Sequence, residues 1–430
     1  MKRFLSVIFF VLSCFVSSAQ VPVGVWSGKV EVREGVSLGL VFRFSEDGGC
    51  TLDVPDQGAR GIPAQAVATL VGVKITVPSI GAAFEGVRLA KGISGSFTQH
   101  GVSFPLTLSA GEPRLNRPQT PQGPFPYQTE EVSFCNGDAT LRGTLTLPEV
   151  CTRQTPVLLL VTGSGQQNRD EEIFEHKPFA VIADYLARKG IATLRYDDRG
   201  FGESTGDVLS ATTEDFKEDA RAGIDLLRSR FDRVGVLGHS EGGTIALMLA
   251  AEGKVDFVVS LAGMIVSGRQ TLLAQNRRAL LQAGLTDAQA ETYCKALGEA
   301  FSQLAAGQPV RASVENADLP AEMKQNFSAA LAQAATPYMR FFIALDVSQQ
   351  LGRIRCPVLA LNGTLDTQVE AEANLEALQK GLPDAEIIRC EGLNHLFQHG
   401  RTGLAAEYRE IEETISPEVL GWIADWVGKQ

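Results

Sequence analysis

Clustered positive charge is what this sequence most lacks. Its 39 Lys and Arg face 50 Asp and Glu, for a net charge of −11, and no basic stripe runs along it. Neutralising a phosphate backbone needs such a stripe, so nucleic acid is excluded as a partner. Histidine is scarce, at five residues, and none of the seven cysteines forms a CxxC or a Cys/His group at zinc spacing; no metal site is expected. The one glycine turn that could cradle a phosphate, "GSGQQ", lacks the GK[ST] of a P-loop and fails the dinucleotide fingerprint, so no cofactor is expected. Beyond the first twenty residues no apolar run is long enough to span a bilayer.

What is present divides the chain. Apolar content of 44% with 21% charge is that of a globular protein, and 430 residues is more than one core usually needs. Residues 1–19 read as a secretory signal: Lys2 and Arg3, then an apolar stretch from Phe4 to Val16, then Ser17-Ser18-Ala19 for cleavage. The product is expected to be exported, periplasmic or secreted, with lipidation at Cys14 in "VLSC" as the rival fate. Six cysteines then remain, and Cys135 with Cys151, flanking a predicted hairpin, is the first pair to consider for a disulfide; scattered buried thiols are the alternative.

Residues 20–111 carry short strand-like runs, "KITVPSI", "FEGVRL" and "VSFPLTLS", broken by Gly, Ser and Pro. They predict a small all-β domain, a barrel or curled sheet, with a structural or interaction role. Residues 112–127 hold five prolines and read as a stiff extended linker. From 128 to 430 the pattern alternates strand and helix. "TPVLLLVTG" is continuously apolar, as a strand covered on both faces should be, and "TTEDFKEDARAGIDLLRSR" opens with Thr212 and Asp215 at capping-box spacing. Such alternation predicts an α/β fold, a mostly parallel sheet flanked by helices. Between about 266 and 348 the strands stop and Ala-, Leu- and Gln-rich helical sequence takes over, the mark of a helical cap over the carboxyl ends of the strands.

"VLGHSEGG" contains Gly238-His239-Ser240-Glu241-Gly242, a G-x-S-x-G between a strand and a helix. Glycines there admit a turn too tight for a Cβ, which leaves Ser240 exposed at the top of the sheet. The bland alternative is a helix-capping serine. A serine nucleophile needs a base and an acid. His395, in "EGLNHLFQ", follows the last predicted strand and is the expected base. His239 should point away from Ser240 and pack structurally, His100 lies in the β-domain, His176 could only line the cleft, and His399 could approach the site but follows no strand directly. Asp366 in "VLALNGTLDTQV" is the expected acid, while Glu370 and Glu372 look like an exposed helix start. The backbone N–H groups of Glu241 and Ser164 are the expected oxyanion donors. Asp197, Asp198 and Arg199 read as loop-fixing ion pairs rather than as a catalytic carboxylate pair.

Taken in order, "VTGSGQQNRDE", "LRYDDRGFGES", "GHSEGG", "NGTLDTQV" and "GLNHLF" resemble the α/β-hydrolase superfamily, and within it the secreted bacterial esterase and serine-aminopeptidase-like (S33) hydrolases that carry an N-terminal β-domain. The resemblance covers about residues 130–430 and implies Ser240 as nucleophile, Asp366 as acid and His395 as base. Thr162 departs from it, since many relatives carry histidine before the glycine. The expected activity is hydrolysis of small or medium acyl or aromatic carboxylic esters, with Phe341, Phe342 and Met339 of the cap near the acyl group. A serine aminopeptidase on short peptides, holding the substrate ammonium with an acid such as Glu241, is the second reading. A non-catalytic binding protein on a hydrolase scaffold is the third.

Overall fold

The computed structural model describes residues 21–33, 36–57, 59–112 and 115–430. The signal segment and Cys14 lie outside the described residues. The chain forms two compact units, Met1–Arg114 and Leu115–Gln430.

In the first unit eight antiparallel strands, from β1 (Gly24–Arg33) to β8 (Val102–Ala110), close into a barrel. Closure is made where Trp26 pairs with Ala110 and Ser27 with Ser109. Alternating side chains such as Phe42, Leu52, Ile75, Phe84 and Ile93 fill the interior and are fully buried.

The second unit is built on an eight-stranded sheet. Its strands are β9 (Gln128–Asn136), β10 (Ala139–Leu147), β11 (Val157–Val161), β12 (Ala192–Tyr196), β13 (Val234–His239), β14 (Phe257–Leu261), β15 (Val358–Gly363) and β16 (Glu386–Cys390), in the spatial order β16-β15-β14-β13-β11-β12-β10-β9. β10 runs antiparallel to both neighbours, and the strands from β12 across to β16 are parallel. This is an α/β-hydrolase fold. The apolar run of β11 serves two cores at once: Val157, Leu159 and Val161 pack with helices α2 (Thr213–Arg228) and α3 (Glu241–Ala251), whereas Leu158 and Leu160 pack with α1 (Pro178–Arg188) and α9 (Pro417–Val427). A strand covered on both faces has no polar alternate positions.

Residues 115–127 run along this second unit. Arg117 donates to the carbonyls of Phe174, Arg409 and Ile411, and Gln119 donates to that of Ile415. The expected insertion is four helices, α4 (Gly268–Gln282), α5 (Asp287–Ala305), α6 (Ala321–Ala334) and α7 (Pro337–Ala344), followed after β15 by α8 (Ala371–Gly381). The four cap helices own a separate apolar cluster around Tyr293, Leu297, Phe301 and Phe327. All six described cysteines are free. Cys135 pairs with Thr140 near the hairpin turn, whereas Cys151 lies past Leu147 at the opposite end of β10. Strand rise keeps them roughly 20 Å apart, well beyond the ~7 Å Cα separation that a disulfide spans.

Candidate active site

The strand-to-helix turn carries Ser240 between β13 and α3. Its φ is 53° and its ψ −118°, a conformation that costs a non-glycine residue energy and persists only where the surroundings enforce it. Here they do. A Cβ on Gly238 would lie 2.0 Å from the Gly242 carbonyl oxygen, and one on Gly242 would lie 2.1 Å from that of Val161. Backbone on both sides therefore requires glycine, and the Ser240 N–H donates to Leu261 O at 2.8 Å to pin the turn. α3 begins at the next residue, so its positive end lies at the serine.

Asp366 and His395 come together from the loops that follow β15 and β16. His395 Nδ1 and Asp366 Oδ2 are 2.7 Å apart, and both residues are buried. The other carboxylate oxygen, Oδ1, accepts the backbone N–H groups of Gln368 at 2.8 Å and Val369 at 2.9 Å, which fixes its direction. From the cap, Arg278 donates to the Asp366 carbonyl and Gln275 to that of Gln368. Ser240, His395, Ser164 and Glu241 all line one cavity of about 500 Å³. Met339 and Phe342 reach it from α7, whereas Phe341 packs on the sheet core instead.

The remaining histidines separate by environment. His399 is exposed and bonded to Glu413, away from the cavity wall. His176 does not line the cleft either: it is fully buried, with Nδ1 at 2.9 Å from the Thr414 hydroxyl and Nε2 at 3.0 Å from Tyr408 O. The loop after "GSGQQ" folds back beneath the surface and carries its imidazole inward.

His239 is buried, as a packed residue should be, but it also reaches the cavity. Its Nδ1 lies 2.9 Å from Glu171 Oε1 and its Nε2 lies 2.9 Å from the carbonyl oxygen of His395. A carboxylate and a carbonyl only accept, so this arrangement favours the ring with both nitrogens protonated. Burial opposes that charge, but Glu171, together with the His395 carbonyl, outweighs it and raises the pKa. The same Glu171 Oε1 accepts the N–H of Gly163 at 2.8 Å. One buried ion pair thus ties the loop of Ser164 to the loop of His395. Glu171 is invisible in the sequence: in "NRDEE" it reads as one more charge of a solvated run, and only its place in the loop after the glycine turn hinted at the site.

Of the Asp197-Asp198-Arg199 set, two form ion pairs. Asp197 pairs with Arg169 at 2.9 Å and Arg199 with Asp219 at 2.6 Å. Among the described residues Asp198 has no cation partner. Its carboxylate accepts from the Thr162 hydroxyl at 2.8 Å and from the Gln167 N–H at 2.9 Å, and deep burial pushes its pKa up to about 8. Thr162 is therefore the hydroxyl that meets this acid. Glu241 also has its carboxylate occupied: Oε1 accepts from Thr213 and Oε2 from Tyr338, each at 2.6 Å.

Comparison with known proteins gives three findings. A family model described as serine aminopeptidase, S33, matches residues 175–400. Esterase EstD of Thermotoga maritima is 28% identical over 311 residues, which cover 70% of either chain. Among solved structures, the Pyrococcus furiosus esterase Pf2001 covers 74% of this chain and 98% of its own, at 16% identity and a TM-score of 0.44.

Proposed function

Because this chain belongs to the serine aminopeptidase S33 family and is a hydrolase, we propose that it cleaves carboxylic esters through an acyl-enzyme formed on Ser240. The observation that carries this reading is the 2.7 Å contact of His395 with the buried Asp366, on the same cavity as a strained Ser240. Ser240 Oγ attacks the ester carbonyl and gives its proton to His395 Nε2. Asp366 holds Nδ1–H and stabilises the imidazolium. The N–H groups of Glu241 and Ser164 receive the oxyanion; removal of one such donor costs about 2.7–4 kcal/mol in general. His395 returns the proton to the leaving alkoxide, and water then repeats the sequence on the acyl-enzyme to release the acid. No step uses a cofactor.

Hydrogen bonding at the site's acids favours an ester over a peptide with a free amino terminus. A substrate ammonium needs a carboxylate free to receive it. Glu241 has both oxygens engaged by hydroxyls, and the charge of Glu171 is met by His239. Among the described residues no Lys or Arg lines the cavity, and the His239 ring is already paired with Glu171, so an anionic substrate finds no free counter-ion there. The apolar walls, among them Met264, Leu272, Met339, Phe342 and Leu396, suit a small or medium acyl or aromatic group. The similarity to an esterase supports the same reading. Residues 1–19 support export of the mature protein, which the mass of the chain recovered outside the cytoplasm tests.

The test is a panel of 4-nitrophenyl esters of rising acyl length beside aminoacyl 4-nitroanilides, with Ser240→Ala and a fluorophosphonate probe as controls. Hydrolysis of the short esters and labelling of Ser240 are expected. Faster turnover of the anilides would transfer the assignment to an aminopeptidase. Inactivity on both series, with no labelling, would leave a binding protein.

A further inference from the structure

The cap helix α7 sends one polar side chain to the floor of the cavity. Tyr338 Oη donates to Glu241 Oε2 at 2.6 Å, and both residues line the cavity together with Ser164. Glu241 Oε1 is meanwhile held by Thr213, at the start of α2. Ser164 and Glu241 are the two residues whose backbone N–H groups must converge on one point if the ester reading is right. They come from different loops, one after β11 and one at the start of α3, and the phenol holds the carboxylate of the second.

The ring itself is placed independently of its hydroxyl. Phe216 of α2 and Phe342 of α7 pack around it, with centroids 6.1 and 5.9 Å away. The hydroxyl is mostly buried, where a hydrogen bond to a carboxylate is stronger than in water and an unpaired partner is costly. Burial and the neighbouring Glu241 charge hold the phenol's pKa well above its ordinary value, so it stays a donor across the working pH range.

We propose that Tyr338 is a positioning residue that sets the oxyanion hole from the cap: its hydroxyl, with that of Thr213, holds the Glu241 side chain and thereby aims the Glu241 N–H group. The proposal rests on the ester reading above and goes beyond it in making the cap part of the rate-determining geometry, not only a wall for the substrate. Oxyanion donors are used fully only in the tetrahedral state, so the link must act on turnover more than on substrate binding.

Tyr338→Phe tests this, since it keeps the ring and removes one oxygen. With 4-nitrophenyl acetate, kcat is expected to fall by about 30-fold while KM stays within about threefold, because a displaced donor loses part of the 10²–10³ that its deletion costs. Phenylboronic acid, which forms a tetrahedral adduct on the serine, should weaken by a similar factor, and binding of the unreactive acetanilide should not change. Thr213→Val removes the other hydroxyl that holds Glu241. It should reproduce the loss of kcat, and it carries the test if the phenylalanine variant does not fold. An unchanged kcat and boronate affinity, or a raised KM at constant kcat, would reduce Tyr338 to a pocket wall and overturn the proposal alone. A wild-type protein inert to esters and to the fluorophosphonate probe would overturn the ester reading and this proposal with it.

Discussion

Glu171→Gln is the most informative single change. The carboxylate oxygen Oε1 receives two buried donors, Gly163 N–H and His239 Nδ1–H, and its charge balances an imidazolium. A glutamine carbonyl can still accept both bonds, but the ring cation then lies buried with no counter-ion. If the ring instead loses the Nε2 proton, that nitrogen turns a lone pair onto the carbonyl of His395, 2.9 Å away. If it loses the Nδ1 proton, the glutamine must rotate its amide toward the ring and abandon Gly163. Each arrangement forfeits a charge-assisted bond or isolates a charge. Breaking a buried pair by removing one partner costs about 3–5 kcal/mol, and the retained acceptor argues for the lower figure, about 3. With a urea slope of about 3 kcal/mol/M, the unfolding midpoint should fall by about 1 M. Trp422 and Trp426 on α9 supply a fluorescence signal from this unit. Because both tied loops carry reacting groups, kcat should fall with stability, by about 10²-fold for a displacement near 1 Å. The penalty should also depend on pH. The folded pKa of His239 is raised above its ordinary 6.5, so its stabilisation is complete below that value and is lost as pH rises through the folded pKa. The gap between wild type and variant should therefore narrow in alkaline buffer. A midpoint within about 0.2 M of wild type at pH 6 would mean that no ion pair joins the two loops and would refute the argument.

Other outcomes follow from single contacts. Asp366→Asn leaves Oδ1 to receive its two backbone donors but presents the wrong partner to His395 Nδ1; kcat should drop by about 10³–10⁴-fold with little change in melting temperature, as read by steady-state kinetics and a thermal scan. Asp198, with a pKa raised to about 8 from 3.8, keeps its proton in the folded state after the unfolded chain has released it. Wild-type stability should thus decline between about pH 4 and pH 8, by up to about 1.4 kcal/mol per unit, and urea midpoints across that range should be flatter in Asp198→Asn. Gly242→Ala would put a methyl 2.1 Å from the Val161 carbonyl, where no side chain can give way; soluble yield and fluorophosphonate labelling should both fall sharply, and normal labelling would contradict the tight-turn argument.

Local pattern accounts for much of this protein. Burial on both faces makes β11 continuously apolar, capping chemistry starts α2 at Thr212, and the steric demand of a strand–serine–helix turn writes itself as glycines at 238 and 242. Those signals lie within a few residues of each other, so the sequence alone determined the α/β class and the motif around Ser240, and it marked Asp366 and His395 by their place after strands. The supporting contacts had no such signature. His239 meets Glu171 across 68 positions, and Tyr338 meets Glu241 across 97. In the chain these are an acid in a charged run and a tyrosine in a helical cap, types that are usually solvated or packed. The return of a loop beneath the sheet edge, or the seating of a cap helix over it, removes water from them and turns ordinary polar groups into partners that must be satisfied. That desolvation is a property of the closed tertiary structure, and only the structure decided which carboxylate holds a charge, which holds a hydroxyl and which keeps its proton.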